Sequence, residues 1–96
     1  MANYTLSREA DADFDAIARD SLANWGEEQA EPYLQALFTT AKRLAEFPEL
    51  GRDVSHLHHG LMRMVAASHV ILYQRRDGGI RIIRILHARM DVVRHL

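Results

Sequence analysis

Apolar residues recur at helical spacing through the first half of the chain and tend toward alternation in the second. Ala10, Phe14, Ile17, Ala18 and Leu22 share one face of a helix predicted from about residue 8 to 23, while Asp11, Asp13, Asp15 and Asp20 fill the others. Ser7 stands where an N-cap belongs, and Glu9 suits the first turn. Asn24-Trp25-Gly26 supplies a turn, with glycine as the helix stop. A second stripe follows at once: Ala30, Tyr33, Leu34, Leu37, Phe38, Ala41, Leu44 and Ala45. Phe47-Pro48 ends it, because the residue before proline resists the α region. Pro32 removes one backbone bond from this helix and is expected to bend it. So short a connection implies an antiparallel helix hairpin with a shared apolar face.

Residues 47–60 read as a loop punctuated by Pro48, Gly51, Asp53, Ser55 and Gly60. Beyond it the period shifts toward 2. Leu61 to Ala66, His69 to Arg75 and Ile80 to His87 read as strands, joined by a tight Ala67-Ser68 turn and the hairpin signal Asp77-Gly78-Gly79. They form an antiparallel meander. In the last strand Ile83 and Ile85 are expected to point one way, and Ile82, Arg84 and Leu86 the other. One face then covers the helix hairpin; the other needs its own cover or forms a groove for a partner. Tyr4-Thr5-Leu6 is a β-prone run expected to join the sheet, and Asp91 caps a final turn from Val92 to Leu96. The fold class is α+β: β-α-α-β-β-β, a helix hairpin packed on a small, mainly antiparallel sheet, in one domain spanning residues 1–96.

Composition narrows the function classes. With 48% hydrophobic and 26% charged residues the 96-residue chain is globular rather than disordered. It has no apolar run near the length of a membrane span and no basic-then-apolar leader, so the expected compartment is the cytoplasm. It has no cysteine, which excludes disulfides, a thiol nucleophile and a thiolate zinc site. The net charge of −1 hides a division. Residues 1–50 carry four basic and ten acidic side chains; residues 51–96 carry eight arginines, three aspartates and all six histidines. A solvated acidic helix surface opposite a basic sheet explains this adequately; a basic face for an acidic partner is the sharper alternative.

No Walker loop, GxGxxG, HExxH or GxSxG occurs. His56, His58 and His59 are close in the loop, but no acidic or cysteine ligand flanks them at a standard zinc spacing, so no metal and no cofactor is expected. Tyr73 reads as core with its hydroxyl at an edge, His69 as a surface strand start, and Trp25 as a staple for the hairpin. Ribonuclease chemistry would need a base, an acid and a phosphate clamp. His87, His69, Arg84, Arg89 and Tyr73 supply the types without a catalytic spacing.

The run Ile82-Ile83-Arg84-Ile85-Leu86-His87-Ala88-Arg89-Met90-Asp91, followed by Arg94-His95-Leu96, resembles the ParE branch of the ParE/RelE toxins of bacterial type II toxin–antitoxin modules. Further matches are Tyr4-Thr5-Leu6-Ser7 with Ala10 and Asp13, Trp25-Gly26 with Gln29-Ala30 and Tyr33, Leu44-Ala45 with Pro48 and Gly51-Arg52, and Ser68-His69-Val70-Ile71 with Tyr73. Together they cover nearly the whole chain in order. Pro32 departs from the usual helix former.

The resemblance implies the same β-α-α-β-β-β fold. It also implies a ParD-like antitoxin with a ribbon-helix-helix domain and a tail that covers the toxin. ParE-like members are associated with inhibition of DNA gyrase, RelE-like members with cutting messenger RNA on the ribosome, and fold alone cannot separate the two. Against the ribonuclease branch, Val70 stands near that branch's middle-strand arginine, the tail ends His95-Leu96 without tyrosine, and the region after the helices has no lysine. The expected function is therefore gyrase inhibition by binding, without catalytic residues; a ribosome-dependent mRNA endonuclease is the alternative. His87, Arg89, Met90, Asp91 and Arg94 are the expected target contacts, with a purely structural cap as the competing role. Arg63, Arg75 and Arg84 are the expected antitoxin contacts.

Overall fold

The computed structural model describes residues 3–96. The order is β1 (Asn3–Leu6), α1 (Arg8–Trp25), α2 (Glu27–Glu46), a 3-10 turn (Pro48–Leu50), β2 (Arg52–Asp53), β3 (Leu61–Ala66), β4 (His69–Arg76), β5 (Gly79–His87) and a final 3-10 turn (Val92–His95). The sheet runs β1-β5-β4-β3-β2. β1 lies parallel to β5, and every other neighbour is antiparallel. The expected α+β architecture is present, with one strand more than expected, because Arg52–Asp53 adds to the β3 edge inside the segment read as loop.

Ser7 caps α1, its Oγ accepting the Ala10 N–H at 3.0 Å. The same hydroxyl donates to the Ile83 carbonyl at 2.6 Å, so the cap also moors the helix to β5. α1 runs two residues past its expected end, and Gly26 alone connects it to α2 with φ 80°. α2 is continuous through Pro32, whose N lies where the helix would donate to Glu28. Phe14 and Phe38 meet across the hairpin with ring centroids 4.7 Å apart.

The helices cover one sheet face. Ala10, Ile17, Leu37, Ala41 and Leu44 pack there against Ile71, Tyr73, Ile80, Ile82 and Ile85. A smaller cluster of Val54, Leu61, Val70, Leu72 and Leu86, joined by Ile83 and Val92, fills the opposite face. That face is thus covered in part by the chain's own loop and terminal turn. The expected side assignment in β5 fails here. Leu72 pairs with Arg84 but Tyr73 with Ile82, so Ile83 is an extra residue. This bulge shifts the alternation: Ile82 and Ile85 face the helices, and Ile83 and Leu86 the other cluster.

Two glycines are dictated by close approach. A Cβ on Gly79 (φ 154°) would run into the backbone of Asn3, where β1 begins. One on Gly51 would run into the Tyr73 hydroxyl. Tyr73 is fully buried, and its hydroxyl donates to the Pro48 carbonyl at 2.7 Å and accepts the Gly51 N–H at 3.0 Å. It is a core residue with a polar tip that holds the connection after α2, and burial pushes its pKa up. Among the described residues no helix is long and apolar enough to cross a membrane.

Candidate partner-binding site

Among the described residues β1 pairs with Gly79 to Ile82, and beyond Ile82 none of them forms a strand along that edge of β5. A side chain of α1 takes its place. The Asp13 carboxylate accepts the Ile85 N–H at 2.9 Å, and Arg84 donates to it through Nε at 2.7 Å and Nη2 at 2.9 Å. The remaining arm of Arg84, Nη1, donates to the His95 carbonyl at 2.8 Å. One guanidinium therefore joins the first helix to the terminal segment. The bidentate fit and the carboxylate's charge raise the Arg84 pKa further above its usual value.

The terminal segment leaves β5 through a compact turn. Ala88 N–H donates to the Ser68 carbonyl at 2.9 Å, Met90 N–H to the His87 carbonyl at 2.9 Å, and Arg89 N–H to His87 Nδ1 at 3.1 Å. Asp91 then caps the final turn, accepting the Val93 N–H at 3.1 Å, as its position in the sequence predicts. Val92 packs inward. Met90, Val93 and Leu96 are exposed at 47%, 61% and 45%, so these three apolar side chains do not serve the core. Arg89 and Arg94 stand among them, also exposed. The expected target contacts are thus brought together on one short segment, with His87 at its base, half-buried.

Beneath it a cleft of about 320 Å³ opens against α1, lined by Asp13, Ile17, Asp20, His69, His87 and Met90 among others. A row of rings leads into it from the helix tip. Trp25 meets Tyr33 edge-on at 5.3 Å between centroids, Tyr33 meets His69 at 5.6 Å, and His69 meets His87 at 5.4 Å. The Tyr33 oxygen accepts the Ser68 N–H at 3.2 Å, which leaves its own proton for His69 Nδ1. Burial, and then the nearby His87, lower the His69 pKa. His69 is therefore no plain surface residue, as strand position alone suggested; the contact with Tyr33 spans the two halves of the chain. Trp25 packs on Tyr33 yet stays 47% exposed.

The three arginines expected to meet an antitoxin are not brought together. Arg84 is held internally by Asp13 and His95. Arg75 is exposed near the β4–β5 turn, opposite Ile80. Arg63 lies on β3 directly opposite Arg52. His56, His58 and His59 are exposed in the 54–60 loop. Asp13 was one of several aspartates in the helix pattern, and only its place in the Ser7, Ala10, Asp13 block set it apart.

Comparison with known proteins fits this geometry. Residues 4–92 match the family described as ParE toxin of type II toxin–antitoxin system, parDE. The chain is 41% identical over 96 residues to Toxin ParE1 of Caulobacter vibrioides, covering 100% of this chain and 99% of that protein. It is 36% identical over 96 residues to Toxin ParE1 of Mycobacterium tuberculosis, covering 99% and 98%. A chain of the structure titled "Chromosomal ParDE TA system from P. aeruginosa" superposes with a TM-score of 0.75 at 22% identity, covering 91% of this chain and 96% of that one, and shares the fold. The matched span runs from within β1 to the start of the terminal turn and takes in both helices and strands β2 to β5, and the chain belongs to the ParE toxins of type II toxin–antitoxin systems.

Proposed function

We propose that this toxin acts by binding and holding DNA gyrase, with no catalysis of its own, and that a ParD-like antitoxin with a ribbon-helix-helix domain neutralises it in the cytoplasm. The observation that carries this reading is the terminal segment. Arg89, Met90, Val93, Arg94 and Leu96 form an exposed mix of cationic and apolar side chains on a turn fixed by Asp91 and Arg84. Such a mix suits a protein surface, since arginine and methionine are favoured at interfaces. Family membership supports the target class, and the ParDE title of the structural neighbour supports the antitoxin. Arg63 and Arg75, without a carboxylate partner among the described residues, remain the charge contacts for an acidic antitoxin tail; Arg84 would have to leave Asp13 to join them.

One observation favours the ribosome-dependent endonuclease instead: three histidines, His69, His87 and His95, line the same cleft. Its walls argue against it. Asp20 opposes a phosphate, and the Arg84 fork that would clamp one is filled by Asp13. The deciding experiment runs gyrase supercoiling, trapped DNA cleavage and ribosomal mRNA cleavage on one preparation of toxin freed of antitoxin. Loss of supercoiling or trapped DNA is expected, and Arg89→Ala should abolish it with the fold intact. Codon-positioned cuts with gyrase unaffected would overturn the reading.

A further inference from the structure

Arg52 and Arg63 are directly opposed in the antiparallel β2–β3 pair, so their side chains leave the same sheet face. Opposed residues place their Cβ atoms roughly 5 Å apart, and two like charges there repel. Neither arginine is ion-paired among the described residues, and Arg63 Nε is buried without a hydrogen-bond partner. An unmatched buried donor beside a second cation is unfavourable in the free protein. Its surroundings say what would satisfy it. A depression of about 400 Å³ is lined by Leu50, Arg52, Arg63, Met64 and Val65. Leu50 and Val65 are 43% and 55% exposed, the latter among the most exposed large apolar side chains described. β2 stops at the partners of Met62 and Arg63, so on that side Met64 to Ala66 form a strand edge with no neighbouring strand among the described residues.

We propose that Arg52 and Arg63 form a fork for one carboxylate, presented by an extended peptide segment laid along the open edge of β3, with its apolar side chains on Leu50 and Val65. The fork suits the planar two-oxygen geometry of a carboxylate. The free edge suits main-chain pairing, and alternate side chains then reach the sheet face. A nucleic-acid backbone fits less well. Asp53 follows Arg52 directly, and the exposed apolar side chains of Leu50 and Val65 flank the pair. Resting on the toxin–antitoxin reading above, this segment belongs to the antitoxin, and Arg63 shares one of its carboxylates with Arg52 while Arg75 makes a separate contact.

The test pairs stability with affinity. A ParD-like antitoxin is titrated into the parent and into Arg52→Gln, Arg63→Gln and Arg76→Gln toxins, and each free toxin is melted. Relief of the opposed charges should raise the midpoint of Arg52→Gln and Arg63→Gln by about 2–5 °C. The same changes should weaken antitoxin binding by about 10-fold or more, with Arg76→Gln unaltered in both measurements. Unchanged affinity in the Arg52 and Arg63 variants overturns the fork and leaves the toxin–antitoxin reading intact. A fall in midpoint together with weaker binding makes the arginines structural and overturns it as well. Loss of binding to a single-stranded RNA oligonucleotide, with antitoxin binding retained, would transfer the pair to phosphate. A parent toxin that does not bind the antitoxin removes the underlying reading and the fork with it.

Discussion

Asp13→Ala should be among the most damaging single substitutions outside the apolar core. The carboxylate accepts three hydrogen bonds, from Arg84 Nε, Arg84 Nη2 and Ile85 N. Ile85 is 5% exposed, so its N–H cannot readily turn to water. Leaving it unpaired costs about 2 kcal/mol. The Arg84 side chain is 22% exposed and recovers part of its hydration, so the lost ion pair adds only about 1 kcal/mol. Their sum, about 3 kcal/mol, corresponds to a midpoint lowered by about 15 °C in a chain of this length. Asp13→Asn keeps an acceptor for Ile85 and should lose roughly half as much. Arg84→Met leaves Asp13 bonded to Ile85 and frees the His95 carbonyl, so its terminal turn should loosen first. Thermal melts of the three variants and of the Asp13→Ala/Arg84→Met double variant measure the terms. Amide exchange at Ile85 and Val93 locates them. The reasoning fails if Asp13→Ala melts within about 3 °C of the parent, or if the double variant loses the full sum of the two single changes, because groups in contact must couple.

Three further outcomes are expected. Tyr73→Phe removes the partner of both the Pro48 carbonyl and the Gly51 N–H, and should cost about 2 kcal/mol in urea unfolding; a loss below about 0.5 kcal/mol would show that neither bond matters. His69 has a pKa depressed below its ordinary 6.5, so the fold favours its neutral form: its contribution is complete above that pH and is lost as pH falls through the lower folded value. Melting midpoints from pH 8 to about 5 should fall more steeply for the parent than for His69→Asn, and parallel profiles would refute this. Ala67 holds φ 55° in the β3–β4 turn, so Ala67→Gly should raise stability by about 0.5 kcal/mol once glycine's greater unfolded freedom is offset; a lower midpoint would contradict the strain argument.

Local chemistry was readable along the chain. Ser7, the Gly26 stop, the Asp77-Gly78 turn and the Asp91 cap each act on backbone within a few residues, so residue type and position suffice to place them. The helix stripes and three main strands follow from periodicity for the same reason. The resemblance of the terminal block to ParE toxins named the family from the same residues. Tertiary structure alone decided what depends on distant partners. The bulge at Ile83 breaks alternation, and just beyond it α1 supplies Asp13 as the partner of the Ile85 N–H. Tyr33 and His69 are 36 positions apart and meet only when the hairpin lies on the sheet. Arg63, Arg75 and Arg84 look equivalent in sequence, yet one is locked to a carboxylate, one is exposed near a turn and one faces another arginine. A charge pattern counts side chains, whereas their roles depend on which neighbours the sheet register places within reach.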